Sequence, residues 1–386
     1  MYQLRDYQQE ASNAAVNVFK SKRGKNGILV CPTGSGKSLI IADIASRLDS
    51  ALLVLQPSKE ILEQNYEKYL SYGMKDAGLY SASVGKKNIC RVTFATIGSI
   101  MNKLDDFRHF KYVLIDECHN VSPKGGMYKT FIDDSERVVI GLTATPYRLY
   151  QDGYGGSQLK FLTRTRPRIF KDVLFYVQIN ELLAKGFLSK MNYYDLTCLD
   201  LSNVKSNSTG SDYDDASLYR EYKRSNYMER LVNVVRRLLK PKDGKPRKGV
   251  LVFTRRVLEA EMLVEQIENS VVVSADTPKN EREDILKRFR SGEIKVVVNA
   301  QTLTTGFDYP ELDTVVMARP TKSLALWYQC VGRAIRPSKN KVAWVIDLCG
   351  NIKRFGKVED LRLCKDDKSQ WCVKSNGKQL TNVYFE

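Results

Sequence analysis

The sequence predicts an α/β protein of two tandem units, each a mostly parallel sheet covered by helices on both faces. Three observations predict it. First, short apolar runs recur between stretches of helical periodicity, at 51–55, 92–94, 112–115 and 138–142 and again at 249–253, 271–273, 295–298, 314–317 and 343–346. Continuous apolar strands separated by helices belong to parallel sheets buried on both faces. Second, the first series opens on residues 28–38, ILVCPTGSGKS, where a strand, a tight loop and a helix N-terminus make a phosphate cradle. Third, each chemically suggestive cluster follows a strand end, where parallel sheets assemble their sites.

Composition bounds the reading. A chain of 386 residues holds two or three domains with cores of their own. Apolar content of 43% and charged content of 27% describe a globular protein, and no run approaches the roughly 18 apolar residues of a membrane span. The start, MYQLRDYQQE, has no apolar signal core, so the expected location is the cytoplasm. The net charge of +17 points to a polyanionic partner, nucleic acid first. The eight cysteines form no CxxC pair and read as reduced core thiols, with Cys364 and Cys372 as the possible start of a metal site.

In chain order, residues 1–27 read as an amphipathic helix with Leu4, Tyr7, Ala11, Ala14, Ala15, Val18 and Phe19 on one face. Ahead of the cradle stand Arg5 and Gln8; a glutamine amide donates and accepts together, which suits an adenine edge, or it simply solvates a helix surface. In the cradle, Thr33, Gly34, Ser35 and Gly36 let backbone N–H groups converge on phosphate oxygens, Lys37 supplies a mobile charge, and Ser38 offers a hydroxyl to Mg²⁺. The Walker pattern wants a glycine where Cys31 stands. The helix after the loop runs to about Asp49. After the next strand, Pro57, Ser58 and Lys59 precede a helix over 59–71 capped by Ser58; Thr96 opens a second cap at 95–99. Both caps can grip a phosphodiester backbone or be purely structural. Then comes the strongest chemical signal after Lys37: Asp116-Glu117-Cys118-His119 at a strand end. A carboxylate there can hold Mg²⁺ and a second can orient and deprotonate a water, so Asp116 is read as the metal residue and Glu117 as the base. Thr143-Ala144-Thr145-Pro146 ends the first unit, with two hydroxyls placed for a relay.

Residues 147–227 are less regular. Segments 150–156 and 202–215 read as polar loops, and 180–187 as a helix closed by Gly186. The run RTRPR at 164–168 suits phosphate contact and a solvated loop equally well. A helix over about 228–240 and a charged turn at 241–248 lead to the second strand series, with helices starting near Arg256, Pro278 and Ser323. Gln301 to Asp308 follows a strand end; Gly306 permits a sharp turn and Asp308 an accepted hydrogen bond from ribose or arginine. Gln329, Arg333 and Arg336 close the set, the two arginines three apart on one helical face, where paired guanidiniums fit phosphate oxygens.

The ordered set LRDYQ, PTGSGKS, DECH, TAT, TTGFD and QxxGRxxR resembles the motif order of superfamily-2 helicases over residues 2–350. A closer resemblance is to the RadD family of bacterial helicase-like repair ATPases, on LRDYQQEA, CPTGSGKSLIIA, LIDECH, GLTATPYRL, LTTGFD, RPT and QxxGRxxRPS with the following DLCGN. The resemblance implies two RecA-like domains, at 1–150 and 228–360, around a connector or insert at 151–227 and followed by a tail at 361–386. It implies a monomeric ATPase using ATP and Mg²⁺ to move on or remodel DNA, single-stranded or branched, in repair at the nucleoid, with a single-stranded-DNA-binding protein as a possible partner. Expected catalytic residues are Lys37, Asp116, Glu117, His119, Gln329, Arg333 and Arg336. Expected nucleotide contacts are Arg5, Gln8, the loop 33–38, Gly306 and Asp308, with Ser38 and Asp116 on Mg²⁺. Expected nucleic-acid contacts are Pro57, Ser58, Lys59, Thr96, Thr254, Gln301 and Thr304. The sequence departs from the RadD pattern after 360: in place of a cysteine-rich zinc-binding tail it has only Cys364 and Cys372. The alternatives are an RNA helicase, a double-strand translocase, or a nucleotide-gated clamp; a nuclease lacks any dedicated carboxylate–lysine cluster.

Overall fold

The structure, a computed structural model, describes residues 3–21, 24–151, 156–242, 244–300 and 309–384. In chain order the strands are β1 (Gly27–Val30), β2 (Leu52–Gln56), β3 (Ala77–Ser81), β4 (Lys86–Lys87), β5 (Val92–Thr96), β6 (Tyr112–Asp116), β7 (Val138–Thr143), β8 (Tyr147–Gln151), β9 (Ser157–Phe161), β10 (Asp172–Tyr176), β11 (Lys190–Asp195), β12 (Val250–Thr254), β13 (Ser270–Val273), β14 (Val296–Ala300), β15 (Thr314–Ala318), β16 (Val342–Asp347), β17 (Leu361–Lys365), β18 (Trp371–Ser375) and β19 (Lys378–Gln379).

Two sheets dominate. The first runs β10-β1-β7-β6-β2-β5-β3-β4 and is parallel except for the β3–β4 pair. The second runs β11-β16-β15-β12-β14-β13 and every pair in it is parallel. Central strands β1, β2, β12, β14 and β15 are buried along their whole length, as their unbroken apolar sequences require when helices cover both faces. Each fully buried Leu, Val or Phe in them contributes about 1.5–3 kcal/mol.

Helices fill the layers. The first, Asp6–Lys20, buries Tyr7, Ala11, Ala15, Val16 and Phe19 and ends at Ser21, shorter than the periodic stretch in the sequence. Lys37–Ser46 follows the cradle. Lys59–Leu70 starts at Ser58, whose hydroxyl accepts from Ile61 N. In the second unit Leu324–Val331 is capped by the Ser323 hydroxyl.

The stretch 151–227 is not one connector. It gives the edge strand β10 to the first sheet and β11 to the second. Edge strands bury one face at most, and their alternating exposure leaves no apolar run to read in the sequence. The segment 361–384 likewise is folded and not a free tail. Its antiparallel β17-β18-β19 sheet packs back on the first unit: Trp371 Nε1 donates to Asp172 Oδ1 (2.7 Å), Gln178 Nε2 to the Leu363 carbonyl (2.8 Å), and Phe161 N to Asn382 Oδ1 (3.0 Å). Cys364 and Cys372 face each other across β17 and β18 with their sulfurs 3.6 Å apart. Among the described residues no cluster of three His, Cys, Asp or Glu side chains could hold a metal, and no helix is long and apolar enough to cross a membrane.

The two sheets share one apolar core that runs from Ile28 and Ile115 to Val315 and Val331. Ser189 N donates to the Ile335 carbonyl (2.8 Å), tying the strand-side loop of β11 to the end of the Leu324–Val331 helix.

Candidate active site

The cleft between the two sheets has a volume of about 380 Å³ and brings together Thr33, Gly34, Gly36, Lys37, Ser38, Asp116, Glu117, Gln329, Arg333 and Arg336. Its first wall is the loop after β1 and the turn after β6. The loop is held from behind. Tyr7 Oη and Gln8 Nε2 both donate to the Ser35 carbonyl, at 2.6 and 2.8 Å, and Ser35 N donates to the Pro32 carbonyl (3.1 Å). Gly36 has φ +83°, and a Cβ there would sit 2.5 Å from Gln8 Nε2, so the close approach of the first helix requires glycine.

Lys37 Nζ lies 3.2 Å from Glu117 Oε1. Asp116 is buried; its Oδ2 accepts from Asn65 Nδ2 (3.1 Å) and its Oδ1 from Glu117 N (2.9 Å). Burial, then the Glu117 charge, pushes the Asp116 carboxyl up to about 6. Burial also pushes on Glu117, but the Lys37 ammonium and His119 outweigh it and hold that carboxyl well below the usual range. Burial opposes the Lys37 charge, yet Glu117 and Asp116 together leave its pKa raised. Two adjacent carboxyls thus have their titrations driven apart, the pattern by which a site separates a metal or acid role from a base role.

Glu117 itself sits at φ 49°, ψ 50°, a left-handed conformation costly for a side-chain-bearing residue. His119 Nδ1 is 3.3 Å from Glu117 Oε2, 2.9 Å from Thr143 Oγ1 and 3.1 Å from Thr145 Oγ1. The histidine therefore stands behind Glu117 and reaches the cleft through it. His119, expected among the catalytic residues, does not itself line the cleft. Both TAT hydroxyls thus meet His119, and Thr143 Oγ1 also lies 3.5 Å from Glu117 Oε2.

The second wall comes from the turn that follows the Leu324–Val331 helix: Gly332 caps the helix, and Arg333 and Arg336 lie beyond it, so the two arginines do not share a helical face as their spacing predicts. Arg333 is buried (7% exposed). Burial lowers the pKa of Arg333 to about 10 and of Arg336 to about 10; both remain cationic at neutral pH. A Cβ on Gly332 would lie 3.1 Å from Thr33, so glycine lets this helix end touch the cradle. With Lys37, Arg333 and Arg336 against Asp116 and Glu117, the cleft carries excess positive charge and suits a polyphosphate anion. ATP and Mg²⁺ fit this donor set: Lys37, Arg333, Arg336 and the loop N–H groups would hold phosphate oxygens, and Ser38 and Asp116 the metal. One carboxylate and one hydroxyl suffice for a Mg²⁺ that is otherwise bound by phosphates and water.

Several expected residues lie elsewhere. The Arg5 guanidinium stacks over the Phe187 ring at 4.0 Å and does not line the cleft. Gln8 is buried, and besides its bond to Ser35 its Oε1 accepts from Arg5 N (3.0 Å); its amide builds the loop instead of reading a base. Thr254 is 1% exposed and its hydroxyl donates to the Arg256 carbonyl (3.2 Å), so it shapes its turn and presents no hydroxyl to a nucleic acid. Pro57, Ser58 and Lys59 sit after β2, where Lys59 Nζ faces Glu63 (3.7 Å). Thr96 ends β5, its Oγ1 2.8 Å from Ser99 Oγ. Gln301, Thr304, Gly306 and Asp308 lie outside the described residues. Sequence reasoning missed Asn65, Tyr7 and Lys68. Asn65 occurs mid-helix with no local signal, Tyr7 reads as ordinary core, and Lys68, which lines the cleft, reads as a solvated helix face.

Comparison with known proteins agrees with this architecture. Residues 1–148 match the family model "Type III restriction enzyme, res subunit", and residues 229–338 match "Helicase conserved C-terminal domain". The chain belongs to the superfamily-2 helicases. It is 27% identical over 339 residues to a 51.5 kDa protein of Lactococcus phage (isolate 7-9), covering 84% of this chain and 66% of that one. It is 25% identical to the DNA 3'-5' translocase XPB2 of Sulfurisphaera tokodaii, covering 90% and 81%. Among solved structures, the ATP-dependent Type ISP restriction-modification enzyme LlaBIII bound to DNA superposes with a TM-score of 0.65 at 19% identity, covering 90% of this chain and 28% of that one.

Proposed function

We propose that the chain is an ATP-driven, superfamily-2 nucleic-acid motor acting on DNA. One observation carries the reading. One cleft draws a phosphate loop and an acid pair from one sheet and two arginines from the other. The bound nucleotide supplies a scissile phosphoanhydride and its metal a Lewis acid; the rest is the work of this chain. Lys37 and the loop N–H groups orient the phosphates. Asp116, with Ser38, would hold the metal. Glu117, kept ionised by Lys37 and His119, accepts a proton from the attacking water. Arg333 and Arg336 reach the same phosphates only when the two sheets are together, so hydrolysis removes the anion that both walls share and relaxes the contact between them. The functional units in this reading are 1–150 and 228–360, each completed by an edge strand from the stretch between them, β10 and β11.

DNA as the polyanion is supported by the +17 charge and by the archaeal relative, which is named a DNA translocase. The finer proposal is a RadD-type repair protein working as a monomer at the nucleoid, on single-stranded or branched DNA, alongside a single-stranded-DNA-binding protein. The motif strings from LRDYQQEA to DLCGN support it. The test is phosphate release with and without DNA. Wild type should be stimulated by DNA, and Lys37→Ala should show neither basal nor stimulated turnover. Wild-type turnover in Lys37→Ala overturns the reading. A second reading is translocation along DNA without strand separation, for which that relative's name gives only the word translocase; stimulation by intact duplex with no displaced strand selects it.

A further inference from the structure

A second cationic cleft, of about 470 Å³, lies far from the nucleotide cleft. It is lined by Lys160, Arg164, Arg166, Arg168, Lys171 and Lys365, with Trp371 at its edge. Two elements distant in sequence build it: the RTRPR segment between β9 and β10, and the β17–β18 turn of the C-terminal sheet. Against the six lining cations stands one lining acid, Asp172, with Asp366 and Asp367 beside it in the β17–β18 turn. Asp172 accepts from the Trp371 indole (2.7 Å) and Asp366 pairs with Arg164 (3.5 Å). Among the described residues Lys160, Arg166, Arg168, Lys171 and Lys365 form no ion pair with a carboxylate. Arg166, Arg168, Lys171 and Lys365 are exposed. Burial and then the neighbouring Arg164 and Arg166 charges depress the Lys160 ammonium. Like charges gathered this closely work against folding, and a polyanion relieves them.

The fold sets where this cleft lies relative to the expected track. Strand β10 pairs in parallel with β1, Asp172 opposite Gly27 and Tyr176 opposite Val30. The cleft is thus at the opposite end of the sheet from the phosphate loop. The expected nucleic-acid contacts after β2 and β5 are four and five strands away in the order β10-β1-β7-β6-β2-β5. At roughly 4.8 Å per strand and 3.3 Å per residue, the separation is about 25–30 Å. That is about 8 nucleotide steps at roughly 3.4 Å each.

We propose that this cleft is a second nucleic-acid contact, gripping the phosphodiester backbone of DNA that flanks the segment held across the two sheets. Arg164, Arg166 and Arg168 alternate along the chain with Thr165 and Pro167, and the Lys365 turn faces them. Such a two-sided basic trough binds backbone charge without reading sequence. The inference rests on the motor reading above.

The test is fluorescence anisotropy of the full chain with labelled DNAs of increasing length, extended as duplex or as single strand, between 50 and 200 mM salt. The variants are the triple Arg166→Ala/Arg168→Ala/Lys171→Ala and, from the other element, Lys365→Glu. For DNAs long enough to span both sites, the triple variant should bind at least tenfold more weakly at low salt. Its log–log salt slope should drop by roughly 2–3, about 0.9 for each lost phosphate contact. Lys365→Glu should weaken the same DNAs. DNAs shorter by about 8 steps should bind all proteins alike, and hydrolysis without DNA should be unchanged. Whichever extension restores the difference identifies the flanking form. Unchanged affinity and slope on long DNA in both variants overturns the inference, as does loss of poly-glutamate binding with DNA binding intact, which reassigns the trough to an acidic protein. A wild-type chain that binds no DNA at all removes the motor reading and this inference together.

Discussion

The two walls of the nucleotide cleft are made differently. The first is a network fixed by its own unit. Asn65 and the Glu117 N–H hold Asp116, while Lys37, His119 and Thr143 surround Glu117. The second wall brings two guanidiniums in the turn after one helix, pressed against the cradle through Gly332. The first wall thus has the parts to bind a nucleotide and activate water, and the second has the charge for the phosphoryl group in transit. The contrast teaches that turnover should depend on both walls and ground-state binding mainly on one.

The largest effect expected is therefore on the second wall. Arg333→Ala should lower kcat by about 10³–10⁵-fold, the range for arginine fingers, while ATP affinity measured by nucleotide fluorescence changes far less. Equal losses in affinity and kcat would make Arg333 a ground-state ligand and erase the contrast. On the first wall, Glu117→Gln should cost about 10²–10⁴-fold in kcat, the scale of general-base catalysis, with nucleotide and DNA still bound.

A pH titration sharpens the comparison within the first wall. Asp116 is raised to about 6 by burial and by Glu117, while Glu117 is held low. Metal binding needs the ionised carboxylate, so protons compete with Mg²⁺ as pH falls through 6, and apparent Mg²⁺ affinity should drop about tenfold per unit below it. Above pH 7 the affinity should level. Glu117 stays ionised throughout and adds no limb in this window. Asn65→Ala removes a hydrogen bond that favours the Asp116 carboxylate, so the limb should move to higher pH. A limb that stays put in that variant would assign it to another group.

The sequence made the first wall almost fully legible, because its chemistry sits in contiguous strings: the cradle after an apolar strand, DECH after another, TAT after a third. Buried central strands announce themselves through unbroken apolar runs, and their boundaries were readable to within a residue or two. What was not legible depends on partners distant in the chain. The alternating exposure of β10 and β11 hides them as irregular segments. The C-terminal sheet is stabilised by contacts to Asp172, Gln178 and Phe161, about 190 to 220 residues upstream, which no local pattern encodes. Gln8 and Thr254 have the right chemistry for ligand contact, but burial commits both to the protein's own backbone. Residue type names a capacity; packing decides whether it faces a ligand.

The smallest expected effect tests the seam between the walls. Gly332 has ordinary helical φ of −58°, so alanine adds no backbone strain there. Its methyl would meet Thr33 at 3.1 Å and the Tyr328 carbonyl at 3.0 Å. One of these neighbours is across the cleft and the other is in its own helix, so the simplest relief is a shift of the arginine-bearing helix end away from the cradle by tenths of an ångström. Overpacking of this kind costs about 1–3 kcal/mol, and here the loss falls on closure and not on either unit's core. Gly332→Ala should raise KM for ATP or lower kcat by roughly five- to a hundredfold, at 1.36 kcal/mol per factor of ten, with the thermal midpoint of the nucleotide-free chain nearly unmoved. Gly36→Ala is the contrasting change: its φ of +83° and its 2.5 Å approach to Gln8 put the strain inside the first wall, so it should lower the melting temperature as well. If Gly332→Ala lowers that temperature as much as Gly36→Ala does, the helix end is part of a common rigid core and the two walls do not act as separable parts.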